Sequence, residues 1–294
     1  MFMIFGIPGP LLFGQLLLGL INGAFYALLS LGLAVIFGLL NIVNFAHGAL
    51  FMMGAFCAWM LLEYLGIGYW WSLLLAPIII GAFGILLEKT LISRLYKLDH
   101  LYGLLLTFGL AMVIEGLFRN QYGSSGLPYR IPSSLQGATD LGFMFMPNYR
   151  GWVVVAAAIV CFTTWALIER TRLGALLRAA TENAPLVQSF GVNVPRMVTL
   201  TYGAGVGLAA FAGVLAAPIY SVNPNMGSNF IIVVFAVVVI GGMGSILGSI
   251  VTGFGLGVVE GLTKVFYPQA SSTVIFVVMA IVLLIRPAGL FGRI

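Results

Sequence analysis

The sequence predicts an all-α fold: a polytopic membrane helix bundle of about 8–9 transmembrane segments, some broken or re-entrant. Three observations carry that prediction. No Asp, Glu, Lys or Arg occurs between Met1 and Leu62. The 294-residue chain is 61% hydrophobic and 7% charged, with a mean hydropathy of +1.12. The few charges gather in short stretches between apolar runs. A soluble domain needs a charged outer face over such lengths. A hydrocarbon layer about 30 Å thick, crossed by roughly 20 apolar residues per helix, does not.

Taken in order, apolar runs bounded by charge place spans near 11–40, 47–62, 70–87, 101–118, 152–169 and 198–218, then a run over 230–259 and a last span near 273–285. The first residues lack a basic n-region, so the first span is expected to be retained rather than cleaved. An Asn-rich break precedes the second span, and Lys89, Arg94 and Lys97 close the third. Arg119 ends the fourth and opens the one sizeable exposed segment, 119–150, rich in Gly, Pro, Ser and Tyr. That segment is too short for a domain of its own; it reads as a lid, a docking surface or a connector, and 1–294 as a single transmembrane domain. The run 230–259 is too long for one crossing and short for two. Its glycine-dense centre, GGMGSILGSIVTGFGLG at 241–257, predicts close helix packing, since irregular backbone at membrane depth is tolerated only against protein or a cavity.

Lys and Arg in short loops set the orientation. Loop 88–100, loop 170–196 and the tail with Arg286 and Arg293 share one face, expected to be cytoplasmic; Arg119, Arg130, Arg150 and Lys264 lie on the other. For the tail to be inside, 230–259 must cross twice or enter and return, and the N-terminus is then outside. The same bias accounts for a pI near 9.4, so the basic residues imply a lipid bilayer and no nucleic acid. Cys57 and Cys161 both fall within spans, which excludes a disulfide framework as an organising device.

Several chemistries lack their residues. Of the lysines only Lys89 is followed by Ser or Thr, and Glu88 precedes it, so there is no P-loop. If ATP powers this chain, another chain binds it. The glycine runs lack G-x-G-x-x-G spacing and any strand–turn–helix setting. With His47 and His100 the only histidines, and no HExxH or nucleophile elbow, metal or triad catalysis has little material.

Two constellations carry functional signal. In NIVNFAHG (41–48), Asn41, Asn44 and His47 are spaced by three within apolar flanks, so a helix would place them on one face. Polar groups at this depth line a pathway or bond between helices; an unwound helix here would expose backbone groups to a polar substrate. About 180 residues on, SVNPNMG repeats the Val-Asn-x-x-x-Gly pattern with Asn223, Asn225 and Gly227, as an inverted repeat would. The second constellation is the loop 170–196. Thr181 as N-cap, Pro185 in the first turn and Gly191 at the end predict a helix of about nine residues, with Leu186, Val187 and Phe190 on one side and Glu182 and the flanking arginines polar. Such a stripe packs beneath its own bundle or enters a partner's cleft. Glu115–Arg119 and Glu260–Lys264 are spaced as structural i,i+4 pairs.

The blocks GQLLLGLINGAFYALLSLGLAVIFGLLNIVNFAHGALFMMGAF (14–56), TRLGALLRAATENAPLVQSFGVNV (171–194), GGMGSILGSIVTG (241–253) and RPAGLFG (286–292) resemble the permease subunits of bacterial ABC importers for branched-chain amino acids, the LivH-like group, over nearly the full length. The resemblance implies a non-enzymatic inner-membrane subunit without its own cofactor. Its implied partners are a second, related permease, two cytoplasmic ABC ATPases holding ATP and Mg, and a periplasmic substrate-binding protein. It implies a pathway beside Asn41, Asn44, His47, Asn223 and Asn225 for a branched-chain amino acid or similar small polar metabolite. It also implies ATPase coupling through Arg172, Arg178, Glu182, Ala184, Leu186, Val187, Phe190 and Gly191, although no literal Glu-Ala-Ala occurs there. The competing class is an ion-coupled secondary transporter, which has no need of an amphipathic docking helix in 170–196.

Overall fold

A computed structural model describes residues 3–4, 7–40, 43–96, 98–142 and 144–292. The first helices are α1 (Gly9–Leu40), α2 (Ala46–Leu65), α3 (Tyr69–Thr90) and α4 (His100–Tyr122). An exposed stretch with one hairpin, Ala138–Asp140 against Phe145–Pro147, leads to α5 (Asn148–Arg170) and the short α6 (Arg172–Glu182) and α7 (Ala184–Ser189). The chain closes with α8 (Val194–Tyr220), α9 (Met226–Gly241), α10 (Ile246–Phe266) and α11 (Val274–Ile285). Among the described residues, 7 helices are long and apolar enough to cross a membrane, and α9 and α11 are shorter apolar helices. The all-α polytopic bundle is the fold that the composition predicts.

The run 230–259 resolves into two helices. Gly242 and Gly244 take φ of +98° and +84° between α9 and α10, a conformation that a side chain would strain. Ser245 then caps α10 by accepting the Gly248 N–H at 3.1 Å.

Lipid gives helices no hydrophobic reason to associate, so the bundle depends on close approach through small residues. On α1, a methyl group added at Gly19 would lie 2.4 Å from the Gly257 carbonyl oxygen of α10, and one at Gly257 would lie 2.4 Å from the Gly23 Cα. The pair α3 and α8 uses the same device: Gly81 faces Gly203, and a methyl at Gly84 would lie 2.8 Å from Val206. The glycine-dense centre of 241–257 is therefore a packing surface, as its composition predicts.

These two pairs are related by an inverted repeat. The helices α1–α4 and α8–α11 follow the same order, with α1 packed on α10 as α8 packs on α3, and α4 on α2 as α11 on α9. The two halves run in opposite senses. Tyr220, at the end of α8, donates to Asn22 in the first half of α1 at 3.2 Å, while Gly205, nearer the start of α8, meets Gly32 in the second half of α1. At the centre, Phe25, Phe51, Tyr220 and Phe230 join α1, α2, α8 and α9 edge to face, with Phe25–Tyr220, Phe51–Phe230 and Tyr220–Phe230 centroids 5.5, 5.6 and 5.3 Å apart.

The packing yields a matched test. Gly257→Leu places a side chain where backbone already stands and should cost about 1–3 kcal/mol or more. Gly255→Leu, two residues away with open space before it, should leave the thermal unfolding midpoint in detergent nearly unchanged. Equal losses for the two would refute the packing role.

Candidate functional site

Two helix interruptions position the described pathway residues that the sequence predicts. After α1 the chain turns back and restarts as α2 beside the middle of α1, where His47 Nε2 lies 3.1 Å from the Leu29 carbonyl oxygen. A carbonyl only accepts, so Nε2 carries the proton and Nδ1 is left as an acceptor. Asn44 Nδ2 donates to the Tyr202 hydroxyl of α8 at 2.9 Å. Thr107 of α4 clamps the turn from the other side: its Oγ1 donates to the Val43 carbonyl and accepts the Phe45 N–H, both at 3.2 Å. Asn44 and His47 are fully buried, and Asn44 Oδ1 and His47 Nδ1 have no protein partner among the described residues. Asn41 lies outside the described residues.

The second interruption, 221–225, enters from the opposite face. Ser221 adopts φ of +57°, a left-handed conformation that costs a non-glycine residue about 1–2 kcal/mol and that ends α8. Asn223 Oδ1 accepts the Asn225 N–H at 3.1 Å. Val222 pairs with Leu127 of the exposed segment through two backbone bonds of 2.8 and 2.9 Å. Arg119 Nη2 donates to Asn225 Oδ1 at 2.6 Å. Arg119 thus bonds this turn, delivered to the end of α4 by tertiary packing, while its charge still acts on Glu115 as the i,i+4 spacing predicts. The Glu260–Lys264 pair does form, and Tyr26 donates to the same carboxylate at 2.8 Å.

The interruptions meet at one point. Gly48 and Gly227, the glycines of the repeated Val-Asn-x-x-x-Gly pattern, are in backbone contact; a methyl added at Gly227 would lie 2.2 Å from the Gly48 oxygen. Asn44 and His47 lie on one side of this contact, and Asn223 and Asn225 on the other. The structure does not gather them into one cluster.

A cavity of about 920 Å³ opens on the face carrying α6 and α7, between α3, α8 and the α6–α7 junction. At its floor is Glu88, 2% exposed. Thr199 Oγ1 donates to Glu88 Oε2 at 2.7 Å and Tyr96 OH donates to Oε1. Burial, and then the hydrogen bond to Glu88, hold the Tyr96 phenol well above its ordinary pKa, so the proton stays on the tyrosine. Tyr202 lies one helical turn beyond Thr199, linking this floor to Asn44. Glu88 is absent from the sequence-derived candidates. Beside Lys89 at the end of an apolar run it looks like any boundary charge, and no local signal marks it.

The loop 170–196 folds differently from its expectation. Thr181 sits in the last turn of α6 and donates to the Arg178 carbonyl at 2.7 Å; the cap of α7 is Asn183, which accepts the Leu186 N–H at 3.0 Å. Asn183 is the stronger cap because its amide oxygen reaches the third N–H beyond it, directly ahead of Pro185. Gly191 takes φ of +83° and ends the segment as predicted. The apolar stripe divides: Val187, 7% exposed, packs with Ala180 and Val194, whereas Leu186 and Phe190 are 54% and 78% exposed. Arg178 bonds the Ile168 carbonyl at 2.9 Å and pairs with Glu169, fixing α6 to α5. Arg172 and Glu182 are exposed, and Ala184 lines the large cavity.

Breaking the Glu88 cluster should be measurable as stability. Thr199→Val leaves a buried carboxylate one donor short, at a cost of about 1–3 kcal/mol. The cost should shrink in a Glu88→Gln background, as coupled neighbours require; additive melting shifts would contradict the bond.

A family profile described as "Branched-chain amino acid transport system / permease component" matches residues 15–284. The chain is 30% identical over 292 residues to the high-affinity branched-chain amino acid transport system permease protein BraD of Pseudomonas aeruginosa, covering 95% of each. It is 28% identical over 298 residues to the corresponding protein LivH of Escherichia coli K12, again over 95% of each. It is also 28% identical over 295 residues to the permease protein LivM of the same organism, covering 90% of this chain and 67% of LivM. No solved structure gives a significant match.

Proposed function

From the premise that this chain belongs to the branched-chain amino acid permease component family, and is therefore a multi-pass membrane permease, we propose that it is one of two membrane subunits of an ATP-driven importer for branched-chain amino acids. The second subunit is a related permease, a role suggested by the similarity to both LivH and LivM. ATP and Mg reside on two cytoplasmic ATPase chains, and a periplasmic binding protein delivers the solute. The membrane is the bacterial inner membrane. The face carrying 170–196 is cytoplasmic, with the C-terminus, and the N-terminus lies outside, in accord with the Lys and Arg distribution.

The observation that carries the coupling part of this reading is the division of the α6–α7 stripe. Val187 and Arg178 anchor the segment to its own bundle, while Leu186 and Phe190 project outward beside it. A segment rigid on one side and apolar on the other can transmit a push from a docked protein to α5 and α8. Arg172, Glu182 and Gly191 surround this projection. The pathway runs past the interruptions at 43–45 and 221–225, where broken helices bring backbone and amide groups to membrane depth.

Purification of the tagged chain from native membranes in mild detergent tests the proposal. A P-loop ATPase is expected in near-equal amount, and Leu186→Asp with Phe190→Asp should release it while the permease keeps its melting midpoint. A chain that purifies alone and transports without ATP after reconstitution would refute the importer reading and favour an ion-coupled carrier.

A further inference from the structure

The cavity floored by Glu88 has a charge order that matches one kind of solute. Glu88 lies buried at the closed end; Lys89 and Arg196 are exposed residues of the lining; Ile85, Val194 and Val198 supply apolar wall. Thr199 and Tyr96 each occupy a different oxygen of the Glu88 carboxylate, and each oxygen retains a second acceptor position. Among the described residues no cation pairs with Glu88, and an acid held this deep is costly without one. Beyond Tyr202, Asn44 Oδ1 and His47 Nδ1 are two more buried acceptors without donors among the described residues. Among the described residues the interior thus offers a succession of acceptors, and the cationic residues of the lining, Lys89 and Arg196, are exposed.

We propose that this cavity is the inner vestibule for a zwitterionic apolar amino acid, its ammonium group on Glu88, its carboxylate toward Lys89 and Arg196, and its side chain on the apolar wall. The inference rests on the permease reading above and adds a binding residue to it. The volume, about 920 Å³, lies within the usual range for small-molecule sites, roughly 300–1,000 Å³. Glu88 is then a specificity residue for the amino group, distinct from the outward-projecting residues of α6 and α7.

The test uses the full chain, with whatever co-purifies, in lipid nanodiscs. Val198→Cys reports on the wall through its rate of maleimide labelling, with the unsubstituted chain as background for Cys57 and Cys161, both buried. Leucine should slow labelling, and 4-methylpentanoate, which lacks the amino group, should not. Glu88→Gln should raise the half-protecting leucine concentration by at least ~10-fold, and Glu88→Asp should restore part of the protection. Protection by both compounds alike, no protection by leucine, no effect of Glu88→Gln, or a cysteine already blocked before ligand by a bound protein would each overturn the proposal. If Glu88→Gln does not fold, the comparison of leucine with 4-methylpentanoate decides alone. A co-purifying ATPase without leucine protection would sink the vestibule and leave the importer reading standing. Protection without an ATPase would do the reverse.

Discussion

Inside hydrocarbon every backbone N–H and C=O must find its partner within the protein, and the architecture follows from the places where this chain interrupts its helices and still meets that demand. At the break before α2, Thr107 from α4 bonds the Val43 carbonyl and the Phe45 N–H, and Tyr202 from α8 holds the Asn44 side chain. The break before α9 is satisfied by Leu127 and by the Asn223 side chain. Each interruption therefore requires chain distant in sequence to be in place: α4 and α8 for the first, the exposed segment for the second. Around them, glycine lets α1 approach α10 and α3 approach α8 to backbone distance. Close packing and tolerated irregularity are two sides of one requirement.

The polar interior is correspondingly sparse and local. Glu260 is neutralised by Lys264 and bonded by Tyr26, a self-contained arrangement that holds α10 against α1. Among the described residues Glu88 is held by two hydroxyl donors and by no cation, and it faces a cavity. Two buried carboxylates in one bundle thus have opposite surroundings: one has an internal countercharge, the other has room for a guest. That difference separates a structural acid from one available to a solute more clearly than burial does.

The bundle itself was legible because lipid imposes length and composition on each crossing, and the charges mark the ends. The inverted repeat was legible at Val43-Asn44 and Val222-Asn223 because glycine is required at the contact of Gly48 with Gly227. What escaped depends on partners far along the chain. Glu88 belongs to a buried cluster only because Thr199, 111 positions away, comes to it. Arg119 reaches Asn225, 106 positions away, in addition to its i,i+4 neighbour Glu115. The division between Val187 and Leu186 depends on which side of α7 meets Ala180 and Val194, and periodicity alone does not choose between adjacent residues. Asn183 and Thr181 are both eligible caps; only the path of the chain between α6 and α7 selects one.

The helices α5, α6 and α7 stand between the two inverted halves and, among the described residues, have no counterpart in either. A pair of inverted repeats presents the same construction to both sides of a membrane, so such a pair by itself has no forward or reverse. The segment 148–189 removes that equivalence. It adds an apolar projection to one face and leaves the other with the hairpin-bearing segment 119–150. The inserted segment thus gives the two faces of the repeated core different surfaces, an asymmetry added to the one that Glu88 and Glu260 already carry inside it.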